Sequence, residues 1–589
     1  MIKMRRRINS TKWLDSFGNN ATTVSLLHKL KYVTYYEEGA TATSPSSSSS
    51  SSSSVSLLPL PPSPSSLPLL GHLHLVKKPL HRNLEAISRQ YGPVVFLRFG
   101  SRPVILVSGP STINECFTKN DVVFANRPQM LAAKHLNYNF TTIVSASYGS
   151  IWRNLRRFTI LEIFSMARLH ISAVIRREEV GAFVRNLAKN YSGEDSKRFD
   201  EWKKLEMKSR LNELVFNTMT KMIGLKRYFG EDVREEDLEE AKMFKEIMRE
   251  SFELIGSPYI GDYLPFLRWL DFKGVEKRMI RLKRRRDEFL RRAVWERRKL
   301  RATCKANSSN SFSSTSNGTA AATTIDVLLS LQEREPDFYT DEIIHGIIMR
   351  TPWLMTRKKS KKVWATERIW AMVVAGLPEK SMTLLTTGTH TSAITTEWAM
   401  ALMLNHPRTL AKARAEIDSQ IGTDRLLQES DLPDLTYLNT IINETLRLFP
   451  PTAIIVPHEA SSDCTVAGFN VPRGTMLLVN AWAMHRDPNS WPDPEEFKPE
   501  RFGSENDDHE NDFKFIPFGF GRRGCPGTRM AMRMIGLTLG RLVQCFEWER
   551  VGEEMVEMSE GPGITVPKVR PLEALYRPRQ QLATVLEKC

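Results

Sequence analysis

The sequence predicts a mainly α-helical fold with a minor β-sheet. Amphipathic helical periodicity dominates the chain from about Arg127 to Leu300. Two runs rich in β-branched and aromatic residues, Val94–Phe99 and Pro103–Val107, flank the turn sequence Gly100-Ser-Arg and predict a hairpin. Near the C-terminus, a glycine-rich loop leads into a final apolar helix that begins near Met530. These features indicate a large helical core with a small sheet beside it.

The N-terminal part of the chain divides into three predicted regions. Residues 1–57 form a low-complexity leader with an unbroken serine run from Ser46 to Ser54, which has no apolar surface to offset the entropy of ordering it. Residues 58–75 are rich in proline and stiff, because each proline fixes φ. We expect a disordered leader, a proline-rich hinge and one folded domain over residues 76–580.

Further helices and one strand are expected in the C-terminal half. Helical periodicity covers Thr340–Met349, resumes at Thr383 and runs through Leu404. It returns over Asp431–Phe449, and Met476–Asn480 has the composition of a short strand.

Residues 350–382 do not match their helical surroundings and are interpreted as an atypical insertion. They contain a basic run, and Pro352 and Pro378 forbid one continuous helix through them. Two explanations remain open: the block loops out while two half-helices dock on each other, or it is absent from the working protein, as a retained intron would be. We favour the second, because a close-packed helix tolerates an insertion poorly.

Composition and charge exclude several classes of protein. Of the 589 residues, 41% are hydrophobic, and the net charge of +16 favours acidic partners or anionic surfaces. The basic residues are spread along the chain without a nucleic-acid-binding pattern, so we expect no nucleic-acid partner. No run approaches the ~18–20 apolar residues that span a bilayer. The few cysteines lack zinc-ligand spacing and favour a reducing compartment: Cys116, Cys304, Cys464, Cys525, Cys545 and Cys589.

The most informative segment is the cysteine loop, Phe518-Gly-Phe-Gly-Arg-Arg-Gly-Cys-Pro-Gly527. Its glycines allow the backbone to turn sharply and to approach a flat ligand closely. Arg522 and Arg523 place cations beside Cys525, and the next helix adds the positive end of its dipole, so a thiolate that acts as a nucleophile or as a metal ligand is favoured. From these residues alone, a passive cysteine in a glycine-rich loop stays an alternative.

The spacing Phe518-x-x-Gly521-x-Arg523-x-Cys525-x-Gly527 resembles the haem-binding signature of the cytochrome P450 superfamily. The resemblance implies a P450-like fold that holds haem b between a distal helix and the proximal cysteine loop. It makes Cys525 the axial iron ligand, whose thiolate favours O–O cleavage. By the same resemblance, Phe518, Arg523 and Gly527 bind the haem.

Two upstream segments resemble a charge network of this family. Glu444-Thr-Leu-Arg447 places an acid and a base three residues apart on one helical face. The segment Phe497-Lys-Pro-Glu-Arg-Phe502 resembles the one whose arginine completes a Glu–Arg–Arg triad. The resemblance implies that Glu444, Arg447 and Arg501 form a buried network that supports the cysteine loop.

Three other residues fall where the family places partners of the haem propionates. Trp152-Arg-Asn-Leu-Arg156 resembles the Trp-x-x-x-Arg helix, whose Trp and Arg meet a propionate. His458, in Val456-Pro-His-Glu, falls at a further such position, as Arg523 does. On the residues alone, an aromatic core residue beside a surface arginine is the alternative for Trp152 and Arg156.

The distal, oxygen-handling motif departs from the family pattern of Ala/Gly-Gly-x-Asp/Glu-Thr-Thr/Ser. This chain has Thr387-Gly-Thr-His-Thr-Ser392, in which Gly388 and Thr391 match. In the family a threonine and a carboxylate relay protons toward dioxygen, and histidine can also accept and donate protons. Thr391 and His390 are therefore the predicted catalytic residues, with slower or poorly coupled oxygen activation expected. A helix-surface histidine without a role stays the alternative for His390.

The resemblance covers the chain from about Pro59 to Arg577. In detail, the sequence is similar to the plant microsomal branch of the family that is related to isoflavone hydroxylases. Phe124-Ala-Asn-Arg-Pro128 and Gln544-Cys-Phe-Glu-Trp-Glu-Arg550 are two of the stretches that carry it. It implies a monooxygenase that inserts one oxygen atom from O2 into a small hydrophobic plant metabolite, with electrons from NADPH through NADPH-cytochrome reductase. It also implies contact with a membrane surface, at the cytosolic face of the endoplasmic reticulum membrane.

Two other functions remain open at this point. The missing distal acid is compatible with a haem-thiolate isomerase or dehydratase, which needs neither dioxygen nor reductase. The interrupted distal helix is compatible with a non-catalytic haem-binding product. Met130–Phe140 and Gly561–Val566 are apolar enough to line a pocket for a hydrophobic ligand.

Overall fold

A computed structural model describes residues 58–189, 191, 201–230, 233, 235–256, 259–271, 274–308, 323, 325, 326, 330, 380–503, 513–563, 565–582 and 585. Within these residues α-helices dominate and the strands form three small sheets, so the prediction of a mainly α-helical fold is confirmed. The predicted leader, the helix expected over Thr340–Met349 and residues 350–379 of the predicted insertion lie outside the described residues.

The α-helices of the described residues, in chain order, are α1 (Leu80–Tyr91), α2 (Pro110–Phe117), α3 (Leu131–Leu136), α4 (Ser150–Phe158), α5 (Met166–Ile171), α6 (Ala173–Lys189), α7 (Met207–Ile223), α8 (Glu235–Gly256), α9 (Val275–Ser308), α10 (Lys380–Asn405), α11 (Pro407–Ile421), α12 (Thr436–Leu448), α13 (Ala481–Met484) and α14 (Thr528–Cys545).

The strands are β1 (Val94–Phe99), β2 (Arg102–Val107), β3 (Lys203–Glu206), β4 (His458–Glu459), β5 (Cys464–Val466), β6 (Phe469–Val471), β7 (Met476–Val479), β8 (Phe546–Arg550) and β9 (Glu573–Pro578). The largest sheet has the order β1-β2-β7-β4, in which β2 and β7 are parallel. The predicted hairpin is confirmed, because β1 and β2 pair antiparallel from Phe99↔Arg102 to Val94↔Val107. The other sheets have the orders β3-β9-β8 and β5-β6.

The proline-rich segment is hydrogen-bonded to two of these sheets. The carbonyl of Pro62 accepts from the amide of Phe96 in β1 at 2.8 Å, and the carbonyl of Pro59 accepts from Asn470 in β6 at 3.0 Å. His72 is buried and its Nδ1 accepts from the amide of Arg98 at 2.8 Å. These bonds attach the segment to the folded domain.

The predicted start of one helix is wrong. The sequence suggested a helix from Asp431, whereas a 3₁₀ turn containing Pro433 comes first and α12 begins at Thr436. Proline lacks the amide that a continuous helix requires. The carboxylate of Glu416, on α11, accepts from the amides of Tyr437 and Leu438 at 2.6 and 2.9 Å, so a side chain from another helix fixes the new start.

The two helices that flank the candidate site are packed in the core. In α10, which begins at Lys380 rather than at Thr383, the side chains from Ala393 to Leu404 are buried. In α14, Gly540 lets a neighbouring chain approach, since a Cβ there would lie 2.8 Å from a methyl group of Leu427. Such close packing holds each helix in one position.

Among the described helices, none is by itself long and apolar enough to cross a membrane. One bent pair, Ser150–Ile163 with Met166–Lys189, meets the length and composition criteria together, with a bend of 44° between its members.

Candidate active site

The cysteine loop is held in a tight turn by its own backbone. The amide of Cys525 donates to the carbonyl of Phe518 at 2.8 Å, and the amide of Gly524 donates to the carbonyl of Gly521 at 3.0 Å. Gly521 has a φ of +66°, and a Cβ there would lie 2.5 Å from Oδ1 of Asp121. Glycine at 521 is therefore required by conformation and by space.

The thiol of Cys525 is accessible, although surrounding protein atoms desolvate it. Burial raises the pKa of Cys525, whereas hydrogen bonds from the Gly527 amide and from Thr528, and then the charge of Arg156, lower it. A side chain on the wall of a concave space is both accessible to solvent and surrounded by protein atoms, and Cys525 has both properties. Arg156, rather than the predicted Arg522 or Arg523, is the arginine whose charge acts on the thiol, and Arg522 pairs instead with Asp121 at 2.5 Å.

Three arginines converge near this loop and donate to backbone carbonyls. Arg523 donates at 2.5–3.2 Å to the carbonyls of Ala125, Ile143 and Ala146. Arg127 donates at 2.5–3.2 Å to the carbonyls of Val144, Val456 and Pro457. Arg156 donates to the carbonyl of Gly524 at 2.5 Å. Burial lowers the pKa of Arg127 to about 9. Burial, and then the charges of Arg127 and Arg156, lower the pKa of Arg523 to about 8.

This arginine cluster (Arg127, Arg156 and Arg523) lacks an anionic partner within the described part of the chain. None of the three forms an ion pair there, and the only acidic group among the charges acting on them is the Cys525 thiol. Desolvated cations are costly unless they are paired. Two propionates would supply that pairing beside an accessible thiol, so these residues fit a haem.

The structure places the predicted propionate partners around the cluster. Trp152, on α4, is buried, its Nε1 donates to the carbonyl of Ile143 at 3.1 Å, and the Arg523 guanidinium lies 4.4 Å from its ring centre. His458 is buried on β4, and its Nδ1 lies 2.7 Å from the Phe124 carbonyl. Burial, and then the charge of Arg127, hold the pKa of His458 well below its usual range, so the imidazole is neutral.

The three residues of the predicted triad contact one another. Arg447 binds Glu444 through two hydrogen bonds of 2.6 and 2.8 Å, and Nε of Arg501 donates to the same carboxylate at 3.0 Å. Glu444 and Arg447 are fully buried, at 0% exposure. A buried ionic network of this kind is stable only when every member is present.

His485 connects the triad to the cysteine loop. The Arg447 guanidinium donates to the backbone carbonyl of His485 at 2.7 Å. The Nε2 of the same histidine accepts from the amide of Ile516 at 3.0 Å, two residues before Phe518. Burial, and then the charges of Arg447 and Arg486, lower the pKa of His485 to about 3, which keeps the ring neutral and able to accept.

Sequence reasoning missed Arg127 and His485 as site residues. Arg127 lies within Phe124-Ala-Asn-Arg-Pro128, a stretch that carries the resemblance to the plant branch of the family. The arginine in that stretch is the sequence feature that could have indicated a site residue. His485 had no such signal, because its role depends on contacts with residues distant in the sequence.

The distal motif lies on α10. Gly388 packs against Met219 of α7, and a Cβ there would lie 2.8 Å from the methionine methyl group. Thr391 is half-buried, and the Nδ1 of His390 lies 3.5 Å from the hydroxyl of Thr565. Burial, and then the charge of Lys208, lower the pKa of His390 to about 4, so the imidazole is neutral near pH 7. The side chain of Thr387 lies outside the described part of the structure.

Comparison with known proteins decides the family. The cytochrome P450 family model matches residues 61–346 and 371–572. The chain belongs to the cytochrome P450 family. The unmatched stretch between these segments overlaps the predicted insertion at 350–382, which stays a prediction.

Several plant P450s are similar over most of their length. Cytochrome P450 81Q32 of Catharanthus roseus is 47% identical over 89% of this chain and 92% of its own. The (+)-piperitol/(+)-sesamin synthase CYP81Q2 of Sesamum radiatum is 42% identical over 89% of this chain and 91% of its own. Isoflavone 3'-hydroxylase of Medicago truncatula is 42% identical over 87% of this chain and 91% of its own. The similarity to a plant branch that includes isoflavone hydroxylases is thereby confirmed.

A solved zebra fish P450 with progesterone has a TM-score of 0.62 at 23% identity, and the match covers 85% of this chain and 100% of that chain. It shows the P450 fold alone. The family membership makes the protein a haem-thiolate monooxygenase that uses haem iron, O2, a substrate and a redox partner.

Removing one guanidinium of the arginine cluster is expected to weaken haem retention. Arg523→Gln loses a charge-assisted bond that is worth about 1.5–3 kcal/mol, so haem loss to apomyoglobin becomes about tenfold to a hundredfold faster. Arg522→Gln is the matched control, since its partner is Asp121 of the protein itself. Equal haem loss from both variants would show that Arg523 does not bind the propionates.

Proposed function

We propose that this P450 binds haem b and hydroxylates or otherwise oxygenates a small hydrophobic, phenolic plant metabolite, such as an isoflavone. The accessible Cys525 thiol beside an arginine cluster that has no anionic partner among the described residues is the observation that carries the proposal. The substrate class is supported by relatives named isoflavone 3'-hydroxylase and (+)-piperitol/(+)-sesamin synthase.

The residues of this chain have separable tasks in that reaction. Bound haem iron supplies the centre at which dioxygen is activated. The Gly527 amide, Thr528 and Arg156 stabilise the Cys525 thiolate, and the arginine cluster holds the propionates. On the distal side, the Thr391 hydroxyl donates and accepts protons. His390, the neighbour of Thr391 in the sequence, is the second residue proposed to exchange protons, and its neutral imidazole contacts Thr565 through Nδ1.

NADPH-cytochrome reductase is the proposed electron donor, and the cytosolic face of the endoplasmic reticulum membrane is the proposed location. Both follow from the microsomal branch that the chain resembles. The net charge of +16 supports attraction to an acidic redox partner and to an anionic membrane surface.

Thr391→Ala tests the monooxygenase assignment. With reductase, NADPH, air and an isoflavone, product formation is expected to fall about a hundredfold, because a positioned proton donor contributes about 10²–10⁴ in rate. NADPH consumption continues, so the product formed per NADPH falls. Both quantities are measured in one assay.

Thr395→Ala is the matched control for that experiment. Thr395 lies one turn further along α10 and its hydroxyl donates to the carbonyl of Thr391 at 3.1 Å. Equal coupling in the two variants would contradict the role of Thr391. Turnover of a peroxide substrate without NADPH, and no NADPH-dependent product, would favour an isomerase or dehydratase instead.

A further inference from the structure

Residues 560–563 and 565–568 form a turn close to the C-terminus, here called the C-terminal turn. Glu560 and Lys568 pair across its base as an antiparallel bridge, and the amide of Gly561 donates to the carbonyl of Pro567 at 2.6 Å. The turn includes part of the segment predicted to line a pocket for a hydrophobic ligand.

The far side of the C-terminal turn meets the distal helix. The Thr565 hydroxyl lies 3.5 Å from His390, the residue next to Thr391. Nε1 of Trp398 donates to the carbonyl of Val566 at 2.9 Å. The amide of Val566 donates to the carbonyl of Pro451 at 3.0 Å. A shift of the turn would therefore move side chains beside the catalytic threonine.

The base of the turn is bonded to elements outside the catalytic machinery. The side chain of Glu560 is only 1% exposed, although the turn lies in a loop. Its carboxylate accepts from His81 at 2.9 Å and Arg82 at 2.8 Å, both on α1, and from Nε1 of Trp482 on α13 at 2.8 Å.

These bonds favour the ionised carboxylate. Hydrogen bonds and charges from His81 and Arg82 outweigh the effect of burial and lower the pKa of Glu560 to about 2. Trp482 packs with Val566 in one small buried cluster. The same tryptophan therefore donates to Glu560 through its Nε1 and lies in one buried cluster with Val566 on the far side of the turn.

We propose that Glu560 is a positioning residue, whose bonds to α1 and α13 set where Thr565 and Val566 meet the distal helix and so shape the substrate side of the pocket. This inference rests on the proposed function, because it assumes that the substrate lies against that helix. Glu560 touches none of the reacting groups and acts through the turn.

The test compares two haem ligands in the holoenzyme of Glu560→Gln. Imidazole is small and reaches the iron without the turn, whereas 4-phenylimidazole also fills the distal pocket. A loosened turn has to be ordered again on binding. The ratio of the 4-phenylimidazole dissociation constant to the imidazole constant, from Soret titrations, is therefore expected to rise about threefold or more.

Two further variants keep the test decisive. Trp482→Phe removes one donor to Glu560 and keeps a smaller aromatic ring at this position, and it is expected to shift the ratio in the same direction. Glu179→Gln is the matched control, because it removes a buried carboxylate that pairs with Lys221 and Arg227 elsewhere in the fold. An unchanged ratio in Glu560→Gln and Trp482→Phe overturns the proposal. If Glu560→Gln takes up no haem, the ratio in Trp482→Phe decides.

Hydrogen exchange separates this proposal from the proposed function, since it needs no haem iron. In Glu560→Gln the amide of Val566 is expected to exchange at least about tenfold faster than in the wild type, whereas Glu179→Gln leaves it unchanged. If the reduced, CO-treated wild-type protein lacked the thiolate-type Soret band, that result would contradict the proposed function. Exchange that stays slow in Glu560→Gln would contradict the positioning role.

Discussion

Replacing Cys525 with serine is expected to abolish the thiolate-type Soret band of the reduced, CO-treated protein and to reduce monooxygenase activity below detection. A serine hydroxyl is not ionised near neutral pH, so it cannot give the electron density that a thiolate gives to iron. The Gly527 amide, Thr528 and Arg156 stabilise an anion at this position, and serine would leave those interactions without one.

The control for this experiment is Cys464→Ser. Cys464 is a half-buried thiol that lies on β5, outside the cysteine loop. That variant is expected to keep the wild-type absorption spectrum. If the Cys525→Ser protein kept the same spectrum and the same haem content as the wild type, Cys525 would not be the iron ligand.

Glu444→Ala is expected to prevent haem incorporation rather than to reduce the rate alone. The substitution leaves Arg447 fully buried without its carboxylate and removes the carboxylate that accepts from Nε of Arg501. Breaking a buried pair in this way costs about 3–5 kcal/mol. That is a large part of the ~5–15 kcal/mol by which a folded domain is stable.

The physical route from this triad to the haem passes through His485. If Arg447 releases the His485 carbonyl, the ring that accepts from Ile516 loses its position, and the chain entering the cysteine loop is no longer fixed. The measurements are haem content per protein and the free energy of unfolding. Glu444→Gln, which keeps the shape and loses the charge, is expected to lie between Ala and the wild type.

Glu496→Ala is the control for the triad, because Glu496 is an exposed acid whose partner is Lys498. Exposed pairs contribute only about 0–1 kcal/mol, so haem content is expected to stay at the wild-type level. A Glu444→Ala protein with full haem content would contradict the assigned role of the triad.

The sequence by itself determined those features whose cause lies within a few neighbouring residues. The cysteine loop is one, since the positive φ of Gly521 and the turn closed by Cys525 lie inside ten consecutive positions. The β1–β2 hairpin and the Glu444–Arg447 pair are others, because strand alternation and helical spacing fix which side chains meet.

Only the tertiary structure decided which partners the charged and polar side chains take. Arg522 and Arg523 are adjacent in sequence, yet one pairs with Asp121 and the other joins Arg127 in a cluster that has no acidic partner in the part of the chain that the structure describes. Glu560 meets His81, far away in the chain. The physical reason is that burial and a neighbour within hydrogen-bonding distance set the state of an ionisable group, and folding alone brings such neighbours together.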